Sequence, residues 1–529
     1  MITVWGKTFT DQTIKIMTAN KKIHLGCWLL FIVVLSIFAR LPEFRTIIPE
    51  QGINSSKIIW FDEAYSIYFA EQNFSRVIQL SSYDSTPPLF YLSLWGWHKV
   101  VGSNIIGLAV LPFVFSILSV LAIFFLGKQI FNYKIGLLSS LFFSLSALNI
   151  DYSTEIRAYS LLVFLSCLSM IFWWRILEKP SQKNWLLYVL FTTLCLYTHY
   201  TAFVLVALQG FLMVIYRREE IKRIVCYYIL IFILFLPQLL IFGRWSNIFS
   251  GGSGPAPLFS RIFTHGSPLI FGKYFYNLMF GRTGGSSWLV VAGGFAVFVL
   301  LMVLAVKYRS EVKMRILFWF IVGGFLGLAA LKFIYAEKYF LIFTVPVVIF
   351  IAAVFFQIRQ RFAKVCLLVL IIAASGLSTA RTYFPPRADS FLYYARDAFQ
   401  FIENNEQPGD LILVDHFNDL LLPFYYHGGA EKKFFLPLNN ELVSENENKR
   451  WLYWDYNVMT EENVKLAEEL IQNYERIWLF NYLPQKTSVQ DPGGYLVGHL
   501  KQKLKPVKYY YFPDKITGVQ QTQLILFEK

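Results

Sequence analysis

Ile105-Ile-Gly-Leu-Ala-Val-Leu-Pro-Phe-Val-Phe-Ser-Ile-Leu-Ser-Val-Leu-Ala-Ile-Phe-Phe-Leu-Gly127 runs for 23 residues without a charged side chain. An α-helix needs about 20 apolar residues to cross the hydrocarbon layer of a bilayer, so this run predicts a transmembrane helix. Similar runs lie near 25–41, 135–150, 158–175, 184–199, 200–216, 224–243, 287–306, 316–334, 339–358 and 364–380. The stretch 88–101 is apolar but short, and reads either as one more span or as a helix lying in the interface. Across the 529 residues, 56% are hydrophobic and only 16% charged, against roughly 25% charged in soluble proteins. With a mean hydropathy of +0.48, most of the chain is solvated by lipid.

The formal net charge is +14. Its basic residues form short clusters divided by lipid-soluble segments, which argues against a nucleic-acid partner. Under the positive-inside rule, Lys128/Lys134, Arg175/Lys179/Lys183, Arg217/Arg218/Lys222/Arg223, Lys307/Arg309/Lys313/Arg315 and Arg359/Arg361/Lys364 face the cytoplasm. Lys7, Lys15, Lys21 and Lys22 precede the first apolar run, which reads as a retained signal anchor with residues 1–24 as a cytoplasmic tail. Segments 42–87, 151–157, 244–286, 335–338 and everything after 381 then share the outer side. The five cysteines, Cys27, Cys167, Cys195, Cys226 and Cys366, all sit in apolar runs, so neither a disulfide framework nor a CxxC metal site is implied.

The chain changes character at Arg381-Thr-Tyr-Phe-Pro-Pro386, a linker signal. A helical stretch near 389–404 follows, then the strand-like Asp410-Leu-Ile-Leu-Val-Asp415, a helix signal near 460–473, Arg476-Ile-Trp-Leu-Phe480, and two strands within 507–528 around Pro513-Asp514. Short strands mixed with helices suggest a small α/β domain. The predicted fold is therefore a mainly α polytopic membrane protein of about 11–13 transmembrane helices. Its transmembrane domain spans 25–380, with 42–87 as a first outer loop, and a soluble extracytoplasmic α/β domain spans 381–529.

Ionisable groups near membrane depth are costly there and mark function. Four polar clusters fall on one predicted face. The first is Trp60-Phe61-Asp62-Glu63-Ala64-Tyr65-Ser66-Ile67-Tyr68-Phe69, whose apolar spacing reads as a short helix on the bilayer surface with two carboxylates on its polar side. A plain solvated face is the competing reading. The second is Asp84-Ser85-Thr86-Pro87-Pro88-Leu89, where Asp84 equally reads as a cap for a helix starting near Pro87. The third is Asp151-Tyr-Ser-Thr-Glu155-Ile-Arg157-Ala-Tyr159. Acidic residues at a helix start explain Asp151 and Glu155, but Arg157 has the wrong sign for that end of the dipole. The fourth is Tyr197-Thr198-His199-Tyr200, between two closely spaced spans, where a lone histidine is more often structural than catalytic. Arg244, Arg261, Arg282, Glu337 and Lys338 are further outer-face charges, some of them ordinary interfacial anchors.

Carboxylates and cations gathered at an outer membrane surface suit a substrate with a lipid tail and an anionic head. Cations hold a phosphate, and a partly desolvated carboxylate accepts a proton from a hydroxyl. The same physics allows a proton-coupled transporter.

In order, Asp62-Glu63, Asp84-x-x-Pro87-Pro88-Leu89, Glu155-x-Arg157-x-Tyr159 and Tyr197-Thr198-His199-Tyr200 resemble the protein O-mannosyltransferase and aminoarabinose-transferase branch of the superfamily C (GT-C) membrane glycosyltransferases. The resemblance covers 25–380 in architecture, with its motifs between 60 and 200. It implies a polyprenyl-phosphate sugar donor, undecaprenyl or dolichyl, and a lipid, glycan or protein acceptor, with transfer that inverts the anomeric centre. It implies Asp62 as catalytic base with Glu63 as its acidic neighbour, and Arg157, helped by Lys338 or Arg282, at the donor phosphate. Asp84, Glu155, Tyr159 and His199 become supporting residues. Thr86 stands where relatives often carry His or Lys, and no sugar-binding outer module is recognisable, so the acceptor stays open. Asp62, Glu63, Asp84 and His199 supply hard ligands for a divalent metal, but this branch is not generally metal-dependent, and no cofactor or metal is expected. The expected location is a bacterial inner (plasma) membrane with an extracytoplasmic site. The alternatives are a secondary transporter or lipid flippase, though no internal repeat is visible; a polysaccharide polymerase or ligase using the outer segment 244–286 with Arg244, Arg261, His265 and Arg282; and an assembly partner working through 381–529.

Overall fold

The computed structural model of the chain describes residues 24–44, 61–81, 86–250, 269–280, 311–330, 337–361, 390–415, 432–436, 474–482, 500–513 except 503, and 520–529, with isolated positions at 59, between 292 and 303, and between 364 and 376. It divides into two compact units. The first comprises Met1–Arg45, Ile105–Arg244 and Ala256–Pro385; the second comprises Thr46–Asn104, Trp245–Pro255 and Pro386–Lys529.

The first unit is a helical bundle. Its described helices are α1 (His24–Phe44), α5 (Ile105–Ile130), α6 (Tyr133–Ser144), α7 (Ala147–Asp151), α8 (Tyr159–Glu178), α9 (Gln182–Leu196), α10 (Ala202–Tyr216), α11 (Ile221–Ser250, running into the second unit), α12 (Leu269–Phe280), α13 (Val312–Ala330) and α14 (Thr344–Gln357). A 3₁₀ segment, Glu337–Phe343, leads into α14. Among the described residues five helical segments are long and apolar enough to cross a membrane: α1, α5, α8, Arg218–Leu240 and Glu337–Gln357. Burial sorts them, with 72% of α8 and 78% of Glu337–Gln357 enclosed, against 22% of α1 and of Arg218–Leu240. The first two are central, while α1 turns Trp28, Phe31 and Phe38 outward. The spans read at 287–306 and 364–380 lie mostly outside the described residues.

The bundle is drawn together by small residues and buried polar bonds. A Cβ on Gly136 of α6 would meet Phe124 O of α5 at 2.6 Å and Lys128 N at 2.9 Å. Ser140 Oγ donates to Val120 O at 3.1 Å across the same contact. Small side chains let backbones approach where apolar surface gives no net drive in lipid. Gly136→Val should therefore cost about 2 kcal/mol or more and lower the unfolding midpoint in lipid nanodiscs. Gly96→Ala, whose Cβ would meet nothing within 4 Å, is the control that should not. Equal midpoints would mean that α5 and α6 do not approach this closely.

A second tie centres on the fully buried Gln209 of α10. Its Nε2 donates to Ser169 Oγ of α8 at 3.1 Å, Tyr188 Oη of α9 donates to its Oε1 at 3.2 Å, and Trp173 Nε1 donates to its carbonyl at 3.0 Å. Tyr188 Oη in turn lies 2.9 Å from Tyr228 Oη of α11. Four helices are thus held in register.

The apolar run 135–150, read as one span, is broken between α6 and α7. Ser146 leaves the helix at φ −67°, ψ 114°; its Oγ donates to Leu278 O of α12 at 3.0 Å and accepts from Asn149 Nδ2 at 2.8 Å. The reading of Asp151 and Glu155 as a helix start is also corrected. Asp151 closes α7, and 152–158 is an irregular buried turn before α8 begins at Tyr159.

In the second unit, α2 (Phe61–Glu71), α3 (Phe74–Ser81) and α4 (Leu89–Val101) pack together. The short helix at 61–71 forms as read, but not as a surface helix. Ala64, Tyr65, Ile67, Phe69 and Ala70 are all buried, and Glu63 is 1% exposed. The cause is α4, whose Tyr91 ring sits 4.6 Å from Phe69. The two-sided helix is α3, which buries Val77 and Leu80 and exposes Phe74 and Ile78. The 13 residues of α4 reach about 20 Å at 1.5 Å each, short of the roughly 30 Å hydrocarbon layer, so 88–101 does not span it. α4 ends at Gly102, whose φ of 68° favours glycine.

Among its described residues, the remainder of the second unit carries α15 (Ser390–Asn405) and five strands: β1 (Leu411–Asp415), β2 (Lys432–Leu436), β3 (Arg476–Tyr482), β4 (Lys505–Pro513) and β5 (Gln520–Glu528). Their order is β2-β1-β3-β5-β4. β1 runs parallel to β2 and β3, and β5 antiparallel to β3 and β4, the mixed sheet of a small α/β domain. Phe399 of α15 stacks on Phe480 at 4.8 Å, and Phe401 lies 4.3 Å from Tyr510. The helix read at 460–473 lies outside the described residues.

Candidate active site

Arg157, Tyr159, His199 and Lys338 come from three places in the chain and meet in the helical bundle. The turn 152–158 holds the first. Ser153 Oγ donates to Ile150 O at 2.6 Å, Arg157 N to Glu155 O at 2.6 Å, and Ser160 Oγ back to Tyr152 O at 3.0 Å. These bonds fold the turn over the start of α8, where the Tyr152 and Tyr159 rings lie 5.3 Å apart. Asp151, Glu155 and Arg157 are all buried there.

His199 sits in the turn between α9 and α10, outside both helices. Thr198 Oγ1 donates to Leu194 O at 2.7 Å and Ala202 N to His199 O at 3.0 Å, which closes the turn. Gln238 Nε2 of α11 donates to Tyr200 Oη at 3.0 Å and pins its far side. The His199 ring lies between Tyr159, at 5.8 Å, and Tyr339, at 5.5 Å. Lys338 Nζ stands 5.6 Å from the Tyr159 ring and 5.8 Å from the Tyr339 ring, within cation–π range. His199 is buried, and the Arg157 and Lys338 charges bear on its ring. Both are cations, the kind of group that holds a phosphate. Glu337, beside Lys338, is buried.

The other residues read as site candidates are placed as follows. Asp62 and Glu63 stand in the first turn of α2, in the second compact unit. Asp84, Arg261, His265 and Arg282 lie outside the described residues, and of Arg244 only the helical backbone is described. Among the described residues no group of three or more His, Cys, Asp or Glu is arranged to hold a metal ion.

The sequence reading missed two features of the bundle. Arg40, fully buried in α1, donates from Nε to Ser116 Oγ at 2.9 Å and from Nη1 to Ser36 Oγ at 2.6 Å and Ser144 O at 3.1 Å. The signal was present, since a cation inside an apolar run needs a reason. The second is a cavity of about 10 Å³ lined by Ser116, Ser119, Asn149, Tyr152, Tyr159 and Ser160 with Phe143, Val163 and Leu341. It has room for about one water molecule among polar partners and extends the polar surroundings of Tyr159 towards the Arg40 serines.

Residues 85–241 match the family model described as dolichyl-phosphate-mannose-protein mannosyltransferase. The matched segment contains Pro87-Pro88, Glu155-x-Arg157-x-Tyr159 and Tyr197–Tyr200, and leaves out Asp62, Glu63 and Lys338. No curated protein matches the sequence. Among solved structures, ArnT from Cupriavidus metallidurans bound to undecaprenyl phosphate is similar over 94% of this chain and 98% of that one, at 11% identity and a TM-score of 0.55. The archaeal oligosaccharyltransferase AglB from Archaeoglobus fulgidus, in complex with an inhibitory peptide and a dolichol-phosphate, is similar over 87% of this chain and 69% of that one, at 11% identity and a TM-score of 0.52. The fold is of the GT-C type, a polytopic helical membrane protein with a small sheet, as the order of motifs implied.

Proposed function

We propose that this chain is a membrane glycosyltransferase that moves a sugar from a polyprenyl-phosphate donor to a hydroxyl acceptor. The observation that carries the reading is the buried His199, faced by Arg157 and Lys338 within an aromatic frame of Tyr159 and Tyr339. Two cations beside an aromatic frame in a helical bundle suit an anionic head on an apolar tail. The family match and the polyprenyl phosphates held by the similar ArnT and AglB structures support the same donor class.

The proposed reaction is a single displacement. Asp62 removes the proton from the acceptor hydroxyl as that oxygen attacks the sugar C1. The C1–O bond to phosphate breaks on the opposite side, the anomeric centre inverts, and the polyprenyl phosphate departs with the electron pair. Arg157 and Lys338, with Arg282 as a further candidate, neutralise the leaving phosphate. Glu63 is the acidic neighbour that helps position the acceptor or the sugar, and Asp84, Glu155, Tyr159 and His199 are supporting residues. The reading places the site and the C-terminal domain outside the cytoplasm, in the inner membrane of a bacterium. The boundary near 381 divides its membrane and soluble portions.

The test is transfer from a panel of radiolabelled polyprenyl-phosphate sugars by purified protein in lipid, with lipid, glycan and peptide acceptors supplied together. Transfer from one donor names the sugar. A folded sample that neither binds nor consumes any donor sinks the reading and leaves the transporter, polymerase and assembly-partner alternatives.

A further inference from the structure

We propose that His199 works in this site as a neutral hydrogen-bond donor through Nε2, its tautomer set by the Thr201 backbone, and that the group it donates to is a phosphate oxygen of the substrate. The inference rests on the glycosyltransferase reading for the identity of the phosphate, but not for the tautomer.

The tautomer follows from one bond. Thr201 N lies 3.2 Å from His199 Nδ1 in donating geometry. A backbone N–H donates and never accepts, so Nδ1 must offer its lone pair and the ring proton must sit on Nε2. Thr201 Oγ1, 3.0 Å from the same nitrogen, adds a second local partner on that side. Among the described residues no protein group accepts from Nε2. The Tyr159 and Tyr339 rings lie 5.8 and 5.5 Å from the His199 ring.

The charged surroundings are of both signs. The charged groups that bear on the ring are Arg157, from the turn before α8, and Lys338, from the 3₁₀ segment. Asp151, Glu155 and Glu337 are the buried carboxylates of those two segments. With Nδ1 offering its lone pair to Thr201 N and the one ring proton on Nε2, the imidazole beside these groups is uncharged. A histidine so placed does not take the acceptor's proton. It supplies an uncharged N–H aimed at an anion that the two cations attract, with no proton to lose or gain through the cycle. That separates its role from that of Asp62, which must change protonation state in every turnover.

The experiment uses the full chain in lipid nanodiscs and four proteins: wild type, His199→Gln, His199→Asn and His199→Ala. A glutamine amide nitrogen falls near the place of Nε2, and an asparagine nitrogen near that of Nδ1. Binding of polyprenyl monophosphate should be close to wild type in the Gln protein and about 10- to 100-fold weaker in the Asn and Ala proteins, the size of one hydrogen bond to a charged group. The Gln protein should also keep the pH profile of wild-type transfer. Separately, ¹⁵N-histidine NMR, with the His199 signal identified by its loss in the Gln protein, should show the Nε2–H tautomer unchanged from pH 5.5 to 8. A His199 signal that titrates in that range, or an Nδ1–H tautomer, overturns the inference. So does equal binding by all four proteins, which would leave the glycosyltransferase reading standing. Wild type that binds no polyprenyl monophosphate would remove the phosphate and the glycosyltransferase reading together, whatever the NMR shows.

Discussion

Asp62→Asn protein should stay folded and bind its lipid donor, yet transfer sugar about 10²- to 10⁴-fold more slowly, the usual worth of a general base. Asparagine keeps the shape of the side chain and removes only its ability to accept a proton. Asp62 is half-buried in the first turn of α2. Its backbone carbonyl, not its carboxylate, receives Ser66 Oγ at 2.9 Å, so that local helix bond survives the change. The measurement is the initial transfer rate beside the unfolding midpoint and the donor affinity. Loss of rate with both other quantities preserved is the signature of a base. Turnover within a few-fold of wild type would take Asp62 out of the chemistry, and loss of fold would make it a structural residue. Glu63 is the instructive neighbour. At 1% exposure its replacement by Gln perturbs a buried position, so that variant should move the midpoint where Asp62→Asn does not.

Arg157→Ala should lower transfer about 10²- to 10³-fold by removing charge stabilisation at the leaving phosphate. The loss should fall on both donor binding and turnover, because the phosphate is anionic before transfer and gains charge during it. Arg157→Lys should recover part of the binding and less of the rate, since an ammonium cannot grip two oxygens in a plane. Arg157 is buried in the same turn as Glu155, which follows Asp151 at the end of α7, so the Ala protein should also unfold at a lower temperature. A loss of stability with transfer per folded molecule unchanged would assign Arg157 to the turn alone.

Much of the bundle was legible because an uncharged run of 20 residues has few other homes. What escaped depended on distant partners. The break at Ser146 is fixed by Leu278 O, 132 positions away, and the 11-residue run before it, 135–145, carries no turn signal. β2, Lys432-Lys-Phe-Phe-Leu436, has no alternating pattern and exists through its parallel pairing with β1. The two-carboxylate helix was found from its spacing, but its burial was not, since that depends on Tyr91 of α4. In the site, Arg157, Tyr159, His199 and Lys338 were each picked out as polar groups next to spans. That they meet is a tertiary fact, and Tyr339 was invisible among 31 tyrosines.

The serine cage of Arg40 has a consequence for the order in which the protein is made. Its partners are Ser36 in the same helix, Ser116 in α5 and Ser144 at the end of α6. Until residue 144 has left the ribosome, the cage has no complete form. A lone arginine at membrane depth costs about 2.5–3.5 kcal/mol, and its long stem can reach for the headgroups meanwhile. Arg40 lies four residues from the end of α1, close enough to do so. The seat of α1 is thus complete only once α5 and α6, which supply the rest of its cage, have been translated.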